Sequence, residues 1–336
     1  MRALGWSMLA CWVAAAPAQH RADWMRQPGW GVMAHYLADW IARSHKLEMS
    51  PAEWNRLVDG FDAEGLADQL AAAGAGYFLI SIGQNSGYYL APNAAYDRLT
   101  GITPSKCSRR DLPADLADAL NRRGIKLLAY LPSGAPAGDE AARTALGWRN
   151  GPYRNREFQL KWEQVIREWG ERWGRKVAGW WFDGCYFPNA MYRFAEPPNF
   201  TSFAAAARAG NPERVLAFNP GVVYRLLSVA PEEDYTAGEI DQPERVTIRR
   251  AADGRVDGAQ IHVLSFLGKS WGTGDPRFST EQAVEFSRKI REAGGVITWD
   301  VPVGLDGRIA PAFLEQLKAI GRALGGKAGP PATAPR

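Results

Sequence analysis

Histidine and cysteine are scarce in this chain: its 336 residues include four His (His20, His35, His45 and His262) and three Cys. The histidines form no metal-type pair and the cysteines no C-x-x-C spacing. Neither a zinc site nor a metal-dependent hydrolase is therefore expected, and no cofactor is implied. Charge of one sign is also missing, since 40 Lys and Arg against 36 Asp and Glu leave a net +4 with no basic block. Nucleic acid is not indicated as a partner. No apolar run reaches the length needed to span a bilayer. No Gly-x-Gly-x-x-Gly follows the first strand-like segment, which argues against a dinucleotide site.

What is present is a globular composition, 46% hydrophobic and 23% charged, with 14 Trp. Indoles fill cores, but they also stack on sugar rings, so their placement bears on function. At the N-terminus Arg2, the apolar stretch from Leu4 to Ala15 and Ala16-Pro17-Ala18 read as a cleavable signal peptide over residues 1–18. A secreted or periplasmic location follows. Once Cys11 leaves with the leader, Cys107 and Cys185 remain; a disulfide between them is one option, and pocket wall is the better reading for Cys185. Residues 325–336, rich in Gly, Pro and Ala, read as a disordered tail.

Between these ends, short apolar segments alternate with amphipathic ones. The strand-like segments are Trp30–Tyr36, Tyr77–Ile82, Lys126–Leu131, Val177–Asp183, Arg214–Asn219, Tyr235–Glu239, Gln260–Phe266 and Gly295–Val301. Helices are expected over Phe61–Ala73, Leu112–Arg123, Glu157–Trp173, Phe200–Ala209, Thr280–Ala293 and Pro311–Leu324. Strands that are apolar throughout are buried on both faces, the mark of a parallel sheet wrapped in helices. Eight such units predict an α/β fold, a (β/α)8 TIM barrel forming one domain over residues 19–324.

In such barrels the active site lies at the C-terminal ends of the strands. Those ends carry His35 and Tyr36, Gln84 and Asn85, Tyr130, Asp183, Asn219, Glu239, Ser265, and Trp299 with Asp300. Asp183 closes Trp180-Trp181-Phe182-Asp183-Gly184, an acid set among large aromatics, and Glu239 closes the sixth segment. Two acids facing across a barrel mouth suit glycosidic cleavage, one as nucleophile or base and one protonating the leaving oxygen. An Asp before Gly is also a common turn former, and Asp241 and Asp300 compete for the second role.

These residues resemble the α-L-fucosidases of glycoside hydrolase family 29 across nearly the whole barrel. Gly31-Val32-Met33-Ala34-His35-Tyr36 is similar to that family's first-strand Gly-Leu-Phe-Ile-His-Trp, and Trp181-Phe182-Asp183-Gly184 to its nucleophile motif. Asp234-Tyr235-Thr236-Ala237-Gly238-Glu239 resembles the segment bearing the acid/base glutamate in part of the family. Pro302-Val303-Gly304-Leu305-Asp306-Gly307-Arg308-Ile309 resembles its closing Gly-Pro-x-x-Asp-Gly-x-Ile. The resemblance implies a retaining exo-glycoside hydrolase acting on an oligosaccharide or glycoconjugate, with Asp183 as nucleophile and Glu239 as acid/base. On this reading His35, Gln84, Asn85, Tyr130, Trp181, Asn219, Trp271 and Trp299 are expected to bind the sugar. Two departures stand out. The family's His-His-Asp-Gly-Phe is here Gln84-Asn85-Ser86-Gly87-Tyr88, which leaves the identity of the sugar open. The family's C-terminal β-sandwich is not expected, because the chain ends just after the last helix. The alternative reading is a non-catalytic carbohydrate-binding protein on a hydrolase-like barrel. A hydrolase of non-sugar substrates is disfavoured by the lack of metal ligands or a Ser/His arrangement.

Overall fold

A computed structural model describes residues 20–248 and 253–325. The predicted leader and, apart from Gly325, the predicted tail lie outside the described residues. Seven of the eight anticipated strands form one parallel sheet: β1 (Trp30–Ala34), β2 (Tyr77–Ser81), β3 (Lys126–Pro132), β4 (Val177–Asp183), β5 (Val215–Phe218), β8 (His262–Phe266) and β9 (Val296–Asp300). Two-residue strands β6 (Arg255–Val256) and β7 (Ala259–Gln260) make a separate antiparallel ribbon. The parallel strands run in the order β5-β4-β3-β2-β1-β9-β8, a curled, TIM-barrel-like sheet.

The expectation of a closed eight-stranded barrel is corrected at Tyr235–Glu239. This segment lies between the sheet's two edges, yet it makes only isolated bridges to β8's side, Tyr235 with Gln260 and Glu239 with Leu264. Toward β5, the amides of Asp234 and Tyr235 both donate to the Leu216 carbonyl. Two features break the ladder. The Thr236 hydroxyl donates to the His262 carbonyl at 2.7 Å and accepts from the His262 amide at 2.9 Å, taking the place of main-chain partners. Gly238 then turns at φ +59°, so close that a Cβ there would lie 2.0 Å from the His262 oxygen. Only glycine tolerates that approach.

Side chains alternate across the sheet, and this alternation decides what each strand offers. Inward, Met33, Leu79, Tyr130, Trp181 and Leu264 pack together in the barrel interior. Outward, Trp180, Phe182 and Trp299 join the larger core beneath the helices. Most indoles serve that outer core. Trp162, Trp169 and Trp173 form one buried side of the helix Arg156–Trp173, and Trp173 packs 5.5 Å from Trp180. At the base of the interior, His262 Nε2 and the Tyr77 hydroxyl both meet the Thr298 hydroxyl, at 2.7 and 2.6 Å. His262 is thus a satisfied core histidine.

The helices start where side chains cap them. Asp62, Asp111 and Ser279 accept from the amides of Gly65, Ala114 and Gln282, opening Ala63–Ala73, Leu112–Asn121 and Thr280–Glu292. Helices not anticipated from periodicity occupy the connections above the sheet: Ala38–His45, Pro51–Asp59, Ala94–Thr100 and Glu140–Leu146. Cys107 and Cys185 are both buried free thiols, which sets aside the disulfide option. Cys185 is sealed in the interior, and its amide donates to the Asn219 carbonyl at 2.8 Å.

Candidate active site

The strand-end rule brings Asp183 to the floor of a cavity of about 90 Å³ at the C-terminal side of the sheet. Its carboxylate is held from several directions. Oδ2 accepts from the Tyr130 hydroxyl at 2.6 Å, while Oδ1 accepts from the Gly184 amide at 2.7 Å and from Asn219 Nδ2 at 2.9 Å. The Tyr186 hydroxyl reaches Oδ1 at 3.4 Å. Burial and the neighbouring Asp183 charge push the Tyr130 phenol upward, so it stays a donor.

Glu239 faces the same cavity, and Asn219 joins the two acids. Its Nδ2 also donates to Glu239 Oε2, at 2.6 Å. The two bonds meet on one nitrogen, so Asp183 Oδ1 and Glu239 Oε2 lie no farther apart than those lengths end to end, about 5.5 Å. Asn219 is itself fixed by the end of the β4–β5 ladder: its amide donates to the Phe182 carbonyl at 2.7 Å. Burial, and then repulsion from Asp183, push the Glu239 carboxyl up to about 7, with the Asn219 bond partly opposing. One acid therefore carries a proton near neutral pH while the other is held by four donors. Replacing Asn219 with Ala is expected to lower kcat/KM about 10²-fold, the scale of losing one preorganised donor, in steady-state assays.

His35, just past β1, donates from Nδ1 to Asp300 Oδ1 at 2.8 Å. Asp300 is fully buried at the end of β9, and its other oxygen accepts from the Gly272 amide. It thereby sets both His35 and the loop that carries Trp271. This use removes Asp300 as a rival second acid. Asp241 is removed too, for it accepts from the Tyr224 hydroxyl at 2.5 Å and does not line the cavity.

The walls are aromatic. Trp181 stacks on Tyr130 with ring centroids 5.3 Å apart, and its Nε1 donates to the Ala237 carbonyl at 3.0 Å. Trp271, Met33 and Leu264 line the cavity as well. Trp40, from the unanticipated helix Ala38–His45, stacks on His35 at 4.9 Å. Sequence reasoning missed Trp40 because it sits in a connection rather than at a strand end.

Three expected sugar contacts are placed or used differently. Trp299 is fully buried and faces away from the cavity, donating from Nε1 to the Ser287 hydroxyl at 2.9 Å. It belongs to the core, and its neighbour Asp300 takes the inward position. Trp299→Ala is expected to cost about 3–5 kcal/mol of stability in urea denaturation, as large buried aromatics do. Gln84 lines the cavity but spends its Nε2 on the Tyr130 hydroxyl at 2.6 Å, bracing Tyr130. Asn85 lies in an adjoining groove of about 410 Å³ instead. Among the described residues no group of three or more His, Cys, Asp or Glu side chains is placed to hold a metal, and no helix is long and apolar enough to cross a membrane.

No protein-family model matches the chain, and no curated protein matches it either. Solved structures do. The endo-fucoidan hydrolase MfFcnA4 of glycoside hydrolase family 107 aligns over 92% of this chain and 54% of its own, with a TM-score of 0.71 at 20% identity. This chain therefore spans about half of that protein's length. Another family 107 endo-fucoidan hydrolase, P5AFcnA, aligns over 95% of this chain and 96% of its own, with a TM-score of 0.69 at 17% identity. The α-L-fucosidase AlfC from Lactobacillus casei, solved with its α-L-fucose product, aligns over 91% and 98%, with a TM-score of 0.62 at 16% identity. The fold is thus one that this chain shares with family 107 endo-fucoidan hydrolases and with α-L-fucosidases alike, and it does not single out family 29.

Proposed function

We propose that the chain is a retaining glycoside hydrolase in which Asp183 attacks the anomeric carbon and Glu239 is the acid/base. One observation carries this reading: a single Asn219 nitrogen is bonded to both carboxylates at the floor of an aromatic-walled cavity. Carboxyl groups about 5–5.5 Å apart suit direct attack by one of them, whereas inverting pairs stand about 6.5–9.5 Å apart to admit a water. The upward shift of Glu239 supports its role as proton donor to the departing oxygen.

In the first step the Asp183 carboxylate forms a glycosyl ester as the bond to the leaving oxygen breaks, and Glu239 supplies that oxygen's proton. In the second, Glu239 as carboxylate takes a proton from water, which displaces Asp183 and frees the sugar. Tyr130 and the Gly184 amide hold Asp183 in line through both steps. The catalytic cavity is small, about 90 Å³, which supports binding of one terminal ring at a time. The fold neighbours support carbohydrate, and fucosides in particular, as the substrates to try first.

The test has two stages. A panel of nitrophenyl glycosides, α-L-fucoside included, identifies the ring that is cleaved. Proton NMR during early turnover then reads the configuration of the first-formed sugar. Retention is expected, and inversion would rule out Asp183 as a nucleophile.

A further inference from the structure

We propose that Glu233, which lies outside the cavity, is a positioning residue for the reaction: it holds the open edge of β5 so that Asn219 keeps its bonds to both carboxylates. The proposal rests on the glycoside hydrolase reading and adds a residue to its machinery.

The open edge creates the need. On one side β5 pairs with β4, and Asn219 continues that side with its amide on the Phe182 carbonyl. Amides alternate in direction along a strand, so those of Leu216 and Phe218 point to the other side, where Tyr235–Glu239 forms no regular ladder. Two consecutive acids take the place of a strand there. Asp234 Oδ2 accepts from the Leu216 amide at 2.9 Å, and Glu233 Oε1 accepts from the Phe218 amide at 2.7 Å. The second bond falls on the residue next to Asn219.

The other Glu233 oxygen reaches the connection that follows Asn219. Oε2 accepts from the Ser228 hydroxyl at 2.6 Å and from the amides of Val229 and Ala230 at 2.5 and 3.2 Å. That connection also sets the Asn219 amide, whose Oδ1 accepts from the Gly221 amide at 3.0 Å. With Oδ1 turned to Gly221, Nδ2 is the atom presented to Asp183 and Glu239. Glu233 therefore ties the strand before Asn219 to the loop after it.

The partners of the two acids differ. Asp234 is paired with Arg208 at 2.7 Å, whereas the four donors to Glu233 are all uncharged. Glu233 is only 5% exposed. Burial pushes its carboxyl up to about 7, and the four donors oppose that push. Three of them are amides that can only donate, so the ionised carboxylate is the form that fits. Gln matches Glu in size but has one acceptor oxygen. Turned to the three loop donors, that oxygen leaves the side-chain NH2 facing the Phe218 amide, and the link to the strand is lost.

The test compares wild type, Glu233→Gln, Asn219→Ala and the double variant at pH 8, on a dinitrophenyl glycoside of the glycone that the wild type cleaves. At that pH Glu233 is mostly ionised, and this leaving group needs no proton from Glu239. Glu233→Gln is expected to lower kcat about tenfold with KM within about twofold, because Asn219 holds the carboxylates and does not line the cavity. In the Asn219→Ala background the same change is expected to cost less than about twofold, since the residue it acts through is already gone. A tenfold loss in both backgrounds, a loss carried by KM, or a folded Glu233→Gln with wild-type kcat overturns the proposal. Should Glu233→Gln not fold, Ser228→Ala removes one donor, keeps the carboxylate and runs the same cycle. About threefold is then expected, the scale of one hydrogen bond, and equal losses in both backgrounds or no loss overturn the proposal. If the wild type cleaves no glycoside of the panel, the hydrolase reading fails and this proposal with it.

Discussion

Asp183→Ala is expected to lower kcat by about 10⁴-fold or more on every substrate that the wild type cleaves, as removal of a covalent nucleophile does. The reason lies in how the carboxylate is used. Its oxygens accept from Tyr130, Gly184 and Asn219, bonds that orient it against an aromatic wall. Without it, Glu239 can still donate a proton, but nothing captures the anomeric carbon. Added azide should then restore part of the turnover with a nitrophenyl glycoside, yielding a glycosyl azide of inverted configuration. Rescue of that kind separates loss of the nucleophile from loss of folding. Asp183→Ala turnover within tenfold of wild type would remove the residue from the mechanism.

Glu239→Gln has a different signature. Substrates with poor leaving groups, such as disaccharides, are expected to lose about 10³-fold in kcat/KM, and dinitrophenyl glycosides far less, because only the former need a proton. In the wild type, kcat/KM should fall as pH rises through about 7, where Glu239 loses its proton in the free enzyme. That basic limb should vanish in Glu239→Gln. Stability responds too. The folded-state pKa is raised from 4.5 to about 7, so between those values the folded protein holds a proton that the unfolded chain releases. Wild-type stability therefore falls as pH rises across that window, and the stabilisation is gone above about 7. Glu239→Gln lacks this dependence, so urea melts at pH 4 and pH 8 should differ between the two proteins on the order of 2 kcal/mol.

Much of this site was legible in the sequence because strand ends in a parallel sheet share one face. Asp183, Glu239, His35, Tyr130, Trp181 and Asn219 come together on that rule. The two-residue alternation of strands was the part misapplied. In Thr298-Trp299-Asp300 the acid faces in, so Trp299 must face out beneath the helix Thr280–Glu292. Pairing was illegible for another reason. Tyr235–Glu239 reads as an apolar strand, yet the Thr236 hydroxyl and the tight turn at Gly238 replace a regular ladder, and neither is visible as periodicity. Trp40 was hidden because it comes from a connection, whose path is set by tertiary packing. The role of Asn219 is the clearest case: it was expected to touch the sugar, and instead it ties the two acids together. Similarly, Gln84 was expected to touch the sugar, and its Nε2 instead braces Tyr130.

Covalent trapping tests the central claim most directly. Incubating the protein with 2-deoxy-2-fluoroglycosyl fluorides, the fucosyl derivative included, slows release of the ester more than its formation. Intact mass should rise by one fluoroglycosyl unit, and peptide mapping should place that unit on Asp183. A label on any other residue, or continued turnover of the same glycone with no adduct, would contradict the account.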